Sequence, residues 1–353
     1  METRHLSELI NEYMQTKNNN MRENDLIQNQ EPAQVSVIIV NWNAGDLLEK
    51  CISSLFLQTV LPDEIIVVDN FSTDNSIKII ADKFTSVRII QLDKNIGFAA
   101  ANNIAINDSS LSCRWVVFLN PDAFPDTQWL EALLRASRRH SEHTIFGSRL
   151  MVANNNNVVD GVGDVYHFSG LVWRSSHGMS LRPEDLLERD IFTPCAASAM
   201  FRKDILIAAG GFDEDYFCYV EDVDLGFRLR LMGHKCLFVP DSVAYHIGSA
   251  ITGKRSDFSV YHGHRNLVWT YVKNMPGILF WLFFPFHLLL NLLSIIWFSV
   301  RGQGKVILRA KLDAISGLPK IWMKRKIIQS KRVVPIFDLL FWLDKTIIPI
   351  FRR

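Results

Sequence analysis

The sequence predicts an α/β fold, because short apolar runs alternate with segments of helical periodicity. Three such runs are Val35–Val40, Glu64–Val68 and Trp115–Leu119, which lack the polar alternation of half-exposed strands. Continuous apolar runs of this length are typical of parallel strands that are buried on both faces. The segment Asp46–Gln58 separates the first two runs and places its apolar residues at helical spacing. This succession indicates a β-α-β arrangement.

The same alternation predicts the rest of the sheet and its helices. Between residues 74 and 140 we expect one strand and three helices, at Val87–Leu92, Asp74–Phe84, Gly97–Asn107 and Asp126–His140. Beyond residue 200 we expect one helix and two short strands, at Val223–Met232, Lys235–Val239 and Ser242–His246. Such sheets bind ligands outside the carboxyl ends of their strands. Polar residues at those ends are therefore the first candidates for a functional site.

Composition excludes several classes of protein. The chain has 353 residues, of which 48% are hydrophobic and 21% charged, and this excludes a disordered protein. A net charge of +1 excludes a generally basic nucleic-acid binder, and we expect no nucleic-acid partner. Five cysteines without a C-x-x-C pair exclude a disulfide scaffold and a zinc ribbon.

We predict three regions along the chain. Residues 1–33 are polar and rich in Asn and Gln, which indicates a mobile extension with at most a weak helix at Leu6–Met14. Residues 34–255 form the α/β domain. Residues 256–353 form a helical region that we expect to associate with a membrane.

The membrane prediction rests on charge and hydropathy. Residues 301–353 hold 13 Lys and Arg against 3 Asp, a net charge of +10. Ile278–Val300 carries no formal charge and is long enough to cross a bilayer, although Pro285 lies inside it. An in-plane hairpin fits equally well, and so does a helical subdomain packed on the α/β domain. We read Val333–Phe351 as an interfacial helix, helped by basic residues that would meet anionic lipid: Lys324, Arg325, Lys326, Lys331 and Arg332.

Polar side chains follow the predicted strands. Asn41 ends the first run, and Asp69 ends the second, where it would accept hydrogen bonds from a nucleobase or a ribose. Asn95 precedes Gly97 at the start of a helix that faces the same edge. Asp122 follows the third run within Asn120-Pro121-Asp122, and oxygen ligands there suit Mg²⁺ or Mn²⁺. Taken singly, each of these motifs also fits an ordinary turn or helix cap.

A second set of carboxylates lies after residue 209. Gly210–Asp215 and Glu221–Asp224 place several acids on one approach to a helix. Mutual repulsion makes such a cluster unfavourable unless a cation or a hydroxyl substrate uses it. The alternatives are a solvated capping cluster and a simple pair between Asp224 and Arg228 at i, i+4. His246 ends the last predicted strand and, taken alone, is more often structural than ligating.

In their order along the chain, these motifs resemble the family 2 glycosyltransferases with the GT-A fold, and most closely their rhamnosyltransferase-like branch. The resemblance covers residues 35–250 and is carried by Val68-Asp69-Asn70, Asn95-Ile96-Gly97-Phe98, Leu119-Asn120-Pro121-Asp122, Glu221-Asp222-Val223-Asp224-Leu225 and Tyr245-His246. It implies a mostly parallel sheet flanked by helices. It also implies transfer of a sugar from a nucleotide-diphosphate donor, which in this branch is dTDP-rhamnose.

The resemblance also implies roles for individual residues. Asp222 matches the catalytic base, and Glu221 and Asp224 would support it. Asp122 and His246 would bind Mg²⁺ or Mn²⁺, because Asn120 stands where the family's metal motif usually has its first Asp. The nucleotide-sugar pocket and the acceptor loop would be formed by two further sets: Asn41, Asp69, Asn95, Asn103, Asn120 and Asp122; and Gly211, Asp213 and Glu214.

Three hypotheses follow. The first is an inverting, metal-dependent glycosyltransferase on the cytoplasmic face of the cell membrane, with a lipid-linked saccharide as acceptor. The second is a nucleotidyltransferase, which should have a basic glycine-rich loop after its first strand. Asn41–Asp46 contains no Lys or Arg, which argues against it. The third is a saccharide-binding scaffold protein on the same fold, supported only by Asn120.

Overall fold

The structure is a computed structural model, and it describes residues 34–109, 113–248 and 255–346. The predicted helix at Leu6–Met14 lies outside the described residues. So does the end of the predicted interfacial segment Val333–Phe351. Within the described part, one large mixed sheet lies between two layers of helices.

The amino-terminal half of the sheet is parallel. Its strands are β1 (Val35–Asn41), β2 (Glu64–Asp69), β3 (Arg88–Gln91) and β4 (Trp115–Leu119). They lie in the order β3-β2-β1-β4, with all three pairings parallel. The connecting helices are α1 (Asp46–Phe56), α2 (Ser76–Lys83) and α3 (Phe98–Asp108). The predicted β-α-β succession is confirmed, because every residue of β1 and β4 is buried between helices.

The second half of the sheet is mixed. A short strand β5 (Ala123–Pro125) and helix α4 (Trp129–Arg139) lead into it. Six strands and two helices follow: β6 (Ile145–Val152), β7 (Asn155–Gly161), β8 (Asp164–Tyr166), β9 (Val172–Arg174), β10 (Arg189–Asp190), β11 (Ser198–Arg202), α5 (Lys203–Ala209) and α6 (Glu221–Leu231). The last strand is β12 (Cys236–His246), a single strand with a register shift between Val239 and Val243 where the sequence predicted two. The full order is β10-β12-β6-β11-β4-β1-β2-β3, with β5 on β12, β7 on β6, and β8-β9 as a separate hairpin.

Strand direction decides where the ends of β4 and β12 lie. β11 runs antiparallel to both β4 and β6, while β12 runs parallel to β6. The carboxyl end of β12 therefore points to the same edge as the carboxyl ends of β1, β2 and β4. This brings residues from both halves of the chain to one edge of the sheet.

The carboxy-terminal region consists of five helices: α7 (Asp257–Asn274), α8 (Gly277–Val300), α9 (Gly304–Ser316), α10 (Leu318–Ser330) and α11 (Ile336–Trp342). They share a hydrophobic cluster with the α/β domain, in which Tyr166, Phe192 and Phe227 pack with residues such as Trp269 and Leu279. Burial of this aromatic surface holds the helices on the domain.

Two expectations for this region need correction. The predicted interfacial helix at Val333–Phe351 is only the seven-residue α11, which ends at Trp342. The chain then packs back on the domain. Asp344 forms a backbone β-bridge with His167, and its N–H donates to the carbonyl of Tyr166 at 3.0 Å. Proline at position 335 precedes the helix and fixes its start.

The basic residues of this region also differ from expectation. The ammonium of Lys324 bonds Asp215 at 2.7 Å and also bonds Asp213. The Arg325 guanidinium donates to the carbonyls of Val272 and Met275 at 2.7 and 2.6 Å. Part of the positive charge that was predicted to meet lipid is therefore used inside the protein.

Candidate active site

A cavity of about 620 Å³ opens at the carboxyl edge of the sheet, between the strand ends and helices α3, α6 and α7. Six of the residues predicted from the sequence line it: Asn95, Asn120, Asp122, Glu221, Asp222 and His246. These residues come from positions up to 151 apart in the chain, from Asn95 to His246. Their meeting in one cavity of a ligand's size makes this edge the candidate active site.

Strand register brings Asp122 and His246 together. β5 pairs antiparallel with β12 so that His246 lies opposite Ala123, the residue after Asp122. The N–H of Ile247 donates to the carbonyl of Asp122 at 3.1 Å. As a result, Nε2 of His246 lies 3.2 Å from Oδ1 of Asp122, with both side chains buried.

The His246 ring suits a divalent cation. Its Nδ1 lies 2.8 Å from Oδ2 of Asp160, so Nδ1 carries the proton that this carboxylate accepts. In the neutral ring, Nε2 then carries a lone pair and no proton. This atom is buried and makes no hydrogen bond of good geometry in the described structure. It faces a carboxylate oxygen, an arrangement that favours a cation between them. Two ligands at right angles, each about 2.1 Å from one ion, are about 3.0 Å apart, close to the observed separation.

Glu221 and Asp222 start helix α6 at the other side of the cavity. Oδ2 of Asp222 accepts the N–H of Ala196 at 3.1 Å, and Oδ1 accepts the N–H of Val223 at 2.8 Å. These two bonds fix the carboxylate at the amino-terminal end of α6. Glu221 is buried, and its Oε2 has no partner within the described structure. Burial, together with the Asp222 carboxylate, raises the pKa of Glu221 well above its usual value.

Asp164 and Cys195 accompany Asp222 in the cavity wall. One ligand atom of each of the three lies within 4.8 Å of the others. Burial, and then the charge of Asp222, raises the pKa of Asp164 to about 8. Asp164 is therefore a neutral carboxylic acid near pH 7, and the pair carries one negative charge instead of two. The Arg174 guanidinium lines the same wall.

The loop before α6 forms the remaining wall and is conformationally strained. Phe217, Tyr219 and Val220 have φ angles of +63°, +69° and +69°, a region that β-branched and bulky residues rarely adopt. The Asn266 amide on α7 donates to the carbonyls of residues 216, 218 and 219, at 3.0, 3.0 and 2.8 Å. Strain of this kind persists only where the surroundings impose it, and it concentrates at functional sites.

Gly97 allows this loop to approach α3. Its φ is +87°, and a Cβ at this position would lie 2.6 Å from both the ring and the carbonyl of Phe217. Only glycine fits there. The sequence analysis singled out Gly97 for close backbone approach, and the structure shows what approaches it.

Three predicted nucleotide-pocket residues lie outside the cavity lining. Asn41 is buried and donates from Nδ2 to Asp69 at 3.1 Å and to Ser76 at 2.9 Å. Oδ1 of Asp69 accepts that bond behind the strand ends. Asn103 lies on α3, where it bonds both backbone groups of Phe212 at 2.9 and 2.8 Å. The structure thus places Asn41 and Asp69 beneath the site and Asn103 beside it.

The predicted acceptor loop is also tied to other parts of the protein. Gly211 has a φ of +65°, and a Cβ there would lie 2.3 Å from the Asn103 amide. Asp213 bonds the ammonium groups of Lys273 and Lys324. Glu214 accepts from Asn103 at 3.0 Å. The sequence analysis expected a ligand cation or a substrate to offset this cluster of acids; lysines 60 and 111 positions away do so instead.

Asp224 is more deeply buried than the acids of the predicted acceptor loop. It lies two residues after Asp222, about half a turn round α6, and it is fully buried and does not line the cavity. It bonds Lys273 at 2.8 Å and Arg228 at 2.9 Å, so the predicted i, i+4 pair with Arg228 is confirmed. The charges of Lys273 and Arg228 outweigh burial and lower the pKa of Asp224.

Three polar residues of the site were not singled out by the sequence analysis: Asp160, Asp164 and Arg174. All three come from residues 150–200, where the periodicity is weak. A signal was nevertheless present, since Asp160-Gly161-Val162-Gly163-Asp164 combines two acids with two glycines. Gly163 has a φ of +97°, which the turn between β7 and β8 requires.

The order of the sheet, the cavity at its carboxyl edge and the carboxylates that line it agree with the predicted glycosyltransferase. Residues 36–209 match the profile of glycosyl transferase family 2, and this part of the chain is a domain of that family. It is similar to the N-acetylglucosaminyl-diphospho-decaprenol L-rhamnosyltransferase of Mycobacterium tuberculosis, with 28% identity over 62% of this chain and 77% of that protein. It is also similar to the amylovoran biosynthesis glycosyltransferase AmsE of Erwinia amylovora, with 23% identity over 68% and 81%.

Two solved structures share the fold. GalNAc-T7, solved with UDP, GalNAc and Mn²⁺, has a TM-score of 0.57 and 17% identity, over 69% of this chain and 48% of that longer one. The mannosyltransferase PcManGT of Pyrobaculum calidifontis, solved with GDP-Man and Mn²⁺, has a TM-score of 0.50 and 16% identity, over 92% and 94%. The predicted GT-A fold and the predicted family are both confirmed.

Proposed function

We propose that this enzyme transfers rhamnose from dTDP-rhamnose to a hydroxyl of a lipid-linked saccharide, with inversion, during cell-surface polysaccharide synthesis. The observation that carries the proposal is the placement of the Asp122–His246 pair and Asp222 on different walls of one cavity. Such an arrangement provides separate positions for the leaving diphosphate and the attacking hydroxyl.

In this mechanism Asp222 is the general base. Its carboxylate takes the proton of the acceptor hydroxyl as that oxygen bonds to the anomeric carbon and the bond to the diphosphate breaks. The backbone N–H groups of Ala196 and Val223 hold the carboxylate in place for this step. Glu221 is the neighbouring residue on α6 and would support the base; burial, together with the Asp222 carboxylate, raises the pKa of Glu221. Asp224 supports the base only indirectly, by anchoring α6.

Asp122 and His246 would hold Mg²⁺ or Mn²⁺. When bound, such an ion supplies positive charge that stabilises the leaving diphosphate. A nitrogen ligand makes Mn²⁺ the better match of the two, because Mg²⁺ prefers an all-oxygen shell. Asn120, Asn95 and the strand-end loops line the side of the cavity where a nucleotide would lie. Asn41, Asp69 and Asn103 would act there indirectly, because their hydrogen bonds hold the segments that form this side of the cavity.

The relatives support the donor and the acceptor. The Mycobacterium tuberculosis relative is a rhamnosyltransferase whose name specifies a lipid-linked N-acetylglucosamine, and AmsE is named for exopolysaccharide synthesis. A similar protein of Myxococcus xanthus is named for O-antigen biosynthesis, with 27% identity over 64% of this chain and 18% of that protein. A lipid-linked acceptor would bring the enzyme to a membrane surface.

We further propose that α8 lies along the cytoplasmic face of the membrane and does not cross it. It is the one described helix long and apolar enough to span a bilayer. His287, in its middle, donates to the carbonyl of Ser169 at 2.7 Å and stacks on Tyr271, with ring centroids 4.0 Å apart. Near its end, Phe298 packs on His264. A narrow buried stripe of α8, with Phe280, His287 and Ser294, thus holds the helix on the rest of the protein, while its other faces are exposed. Crossing the bilayer would require the helix to leave these contacts.

Helices α8 to α11 together present an apolar surface to which every one of them contributes. Its exposed side chains include Trp281, Leu289, Leu292, Ile296, Trp297, Leu312, Met323, Ile327, Phe337 and Phe341. So many exposed apolar side chains in one region of a protein indicate an interaction site. Exposed Lys326 and Lys331 lie on the same helical region and would favour anionic lipid. We propose that this surface inserts into one leaflet.

A donor screen with detergent-purified protein tests the function. Release of nucleoside diphosphate is measured from dTDP-rhamnose, UDP-GlcNAc and GDP-mannose, with and without Mn²⁺, in the presence of polyprenyl-diphosphate-linked N-acetylglucosamine. We expect dTDP release that depends on the metal and on the acceptor. Turnover of another sugar would refute the rhamnose assignment, and formation of pyrophosphate would indicate a nucleotidyltransferase. Failure to bind any donor would favour the scaffold alternative.

Labelling tests the membrane topology. Single cysteines are introduced near the two ends of α8, at Lys326, which lines a groove with Gly277, and at Gln303, in a background without the native cysteines. A membrane-impermeant maleimide applied to sealed vesicles should reach both positions from the same side. Labelling of the two from opposite sides would show that α8 spans the bilayer.

A further inference from the structure

We propose that Asp160 is a positioning residue for metal binding: it fixes the tautomer and the orientation of His246, so that Nε2 faces Asp122. This inference rests on the proposed role of Asp122 and His246 as metal ligands. Asp160 itself lies outside the cavity lining and would act only through the His246 ring.

The contact between the two side chains is direct and buried. Oδ2 of Asp160 accepts the Nδ1 proton of His246 at 2.8 Å, and the two residues are 5% and 2% exposed. A histidine ligates a divalent ion through an unprotonated nitrogen. By holding the proton on Nδ1, Asp160 leaves Nε2 as the lone pair that points to the Asp122 carboxylate. Without Asp160 either nitrogen is free to carry the proton, and the ring loses the bond that sets its rotation.

Asp160 is itself held in place by Arg174. Nη1 of Arg174 lies 2.6 Å from the same Oδ2 that accepts from His246. The guanidinium and the imidazole therefore meet at one buried oxygen, and this fixes the orientation of the Asp160 carboxylate towards His246.

Asp160 and Arg174 are in turn positioned by two hairpins. Asp160 lies on β7, next to Gly161, which is paired with Leu150 of β6. Arg174 ends β9 and pairs with Asp164 on β8. A Cβ at Gly161 would lie 3.1 Å from the Arg174 side chain, so glycine lets the arginine pass close to the strand. This weakly periodic region of the sequence therefore carries the support of the proposed metal site.

Residues that hold a metal-ligating histidine in this way typically affect metal affinity by about 10- to 100-fold. The experiment is a Mn²⁺ titration of the full chain in detergent, followed by electron paramagnetic resonance of the free ion. Four proteins are compared: wild type, D160N, H246A and H177A. The H177A protein is the matched control, because Nδ1 of His177 lies 2.7 Å from the Asp160 carbonyl and 3.4 Å from its Oδ1 but does not contact His246, so the Asp160–His246 bond remains.

We expect D160N to weaken Mn²⁺ binding by about 10- to 100-fold, H246A to weaken it at least as much, and H177A to bind like wild type. Normal Mn²⁺ affinity in D160N, together with weak binding in H246A, would overturn the positioning role while leaving the metal site intact. Normal affinity in H246A, or no binding by wild type, would instead refute the metal ligands of the proposed function. The positioning role would fall with them.

A second measurement needs no variant at Asp160. Wild-type protein is labelled with ¹⁵N-histidine and studied without metal, at a pH at which the ring nitrogen shifts of His246 show that the ring is neutral. Comparison with H246A assigns the His246 ring. We expect the Nδ1–H tautomer, with an unprotonated Nε2. The opposite tautomer would overturn the proposal even if D160N failed to fold.

Discussion

Two groups of carboxylates in this enzyme have opposite surroundings. The paired group consists of Asp213, Asp215 and Asp224, which bond lysines and an arginine from α6, α7 and α10. The cavity group consists of Asp122, Asp164, Glu221 and Asp222, and Arg174 is the only Lys or Arg among the described residues that line their cavity. In the sequence the two groups look alike, and the short segment Glu221–Asp224 contains members of both.

This difference separates structural from functional acids. A carboxylate whose charge is matched inside the protein needs no ligand, and removal of its partner destabilises the fold. Those in the cavity are left with an excess of negative charge, which a metal ion, a shared proton or a substrate hydroxyl can offset. Asp222 and Asp224 show the contrast within one helix, because the first faces the cavity and the second faces Lys273.

The largest expected effect comes from removing the proposed base. D222N should lower kcat by about 10²- to 10⁴-fold, because the amide cannot take the acceptor proton. Its unfolding midpoint should stay close to that of wild type. The assay is transfer from dTDP-rhamnose, with circular dichroism to verify the fold. Full activity in a folded D222N protein would exclude Asp222 as the base.

The second effect concerns stability instead of turnover. K273M leaves Asp213 and Asp224 without their shared buried cation, and loss of one partner from a buried pair destabilises by about 3–5 kcal/mol. Urea unfolding measures this change. The matched control is K320M, which removes a largely exposed lysine from Asp215 and should change stability by less than about 1 kcal/mol. Equal effects of the two would contradict the division between buried and exposed partners.

The third effect tests the strained loop that joins the two groups. N266A removes three hydrogen bonds to the backbone of residues 216, 218 and 219 and should destabilise the protein by about 1–3 kcal/mol. Because the loop lines the cavity, KM should rise as well. N154A, in the exposed turn between β6 and β7, serves as the control. An unchanged KM in N266A would mean that the loop keeps its shape without the three hydrogen bonds of Asn266.

The smallest effect is a pH dependence. Lys273 and Lys324 overcome burial and hold the pKa of Asp213 well below its usual value. The ionised carboxylate thus adds stability above its unfolded pKa of about 3.9, and this stability is lost as pH falls towards the folded pKa. D213N should be less stable than wild type by about 1–2 kcal/mol at pH 7 and nearly equal to it at about pH 2. Urea unfolding at both values measures the change, and a difference that persisted in acid would point to packing instead of charge.

Much of the fold follows from local pattern. β1, β2 and β4 were predictable because buried parallel strands read as uninterrupted apolar runs, and α1 because its buried residues recur at helical spacing. Asp122, Asp222 and His246 were identified through the order of their motifs. The extent of the last helix was not predictable, since an apolar composition does not show that the chain after Trp342 packs back on Tyr166 and His167.

By itself, the sequence determined the α/β class, the family and six of the polar residues that line the cavity. These depend on periodicity and on the order of motifs, which are properties of the chain read in one dimension. Only the tertiary structure decided which acids are matched by lysines far away in the chain, and that Asp160 supports His246. Charge pairing and hydrogen bonding act over a few ångströms, and the partners here lie between 14 and 111 residues apart. Folding alone brings them within that distance.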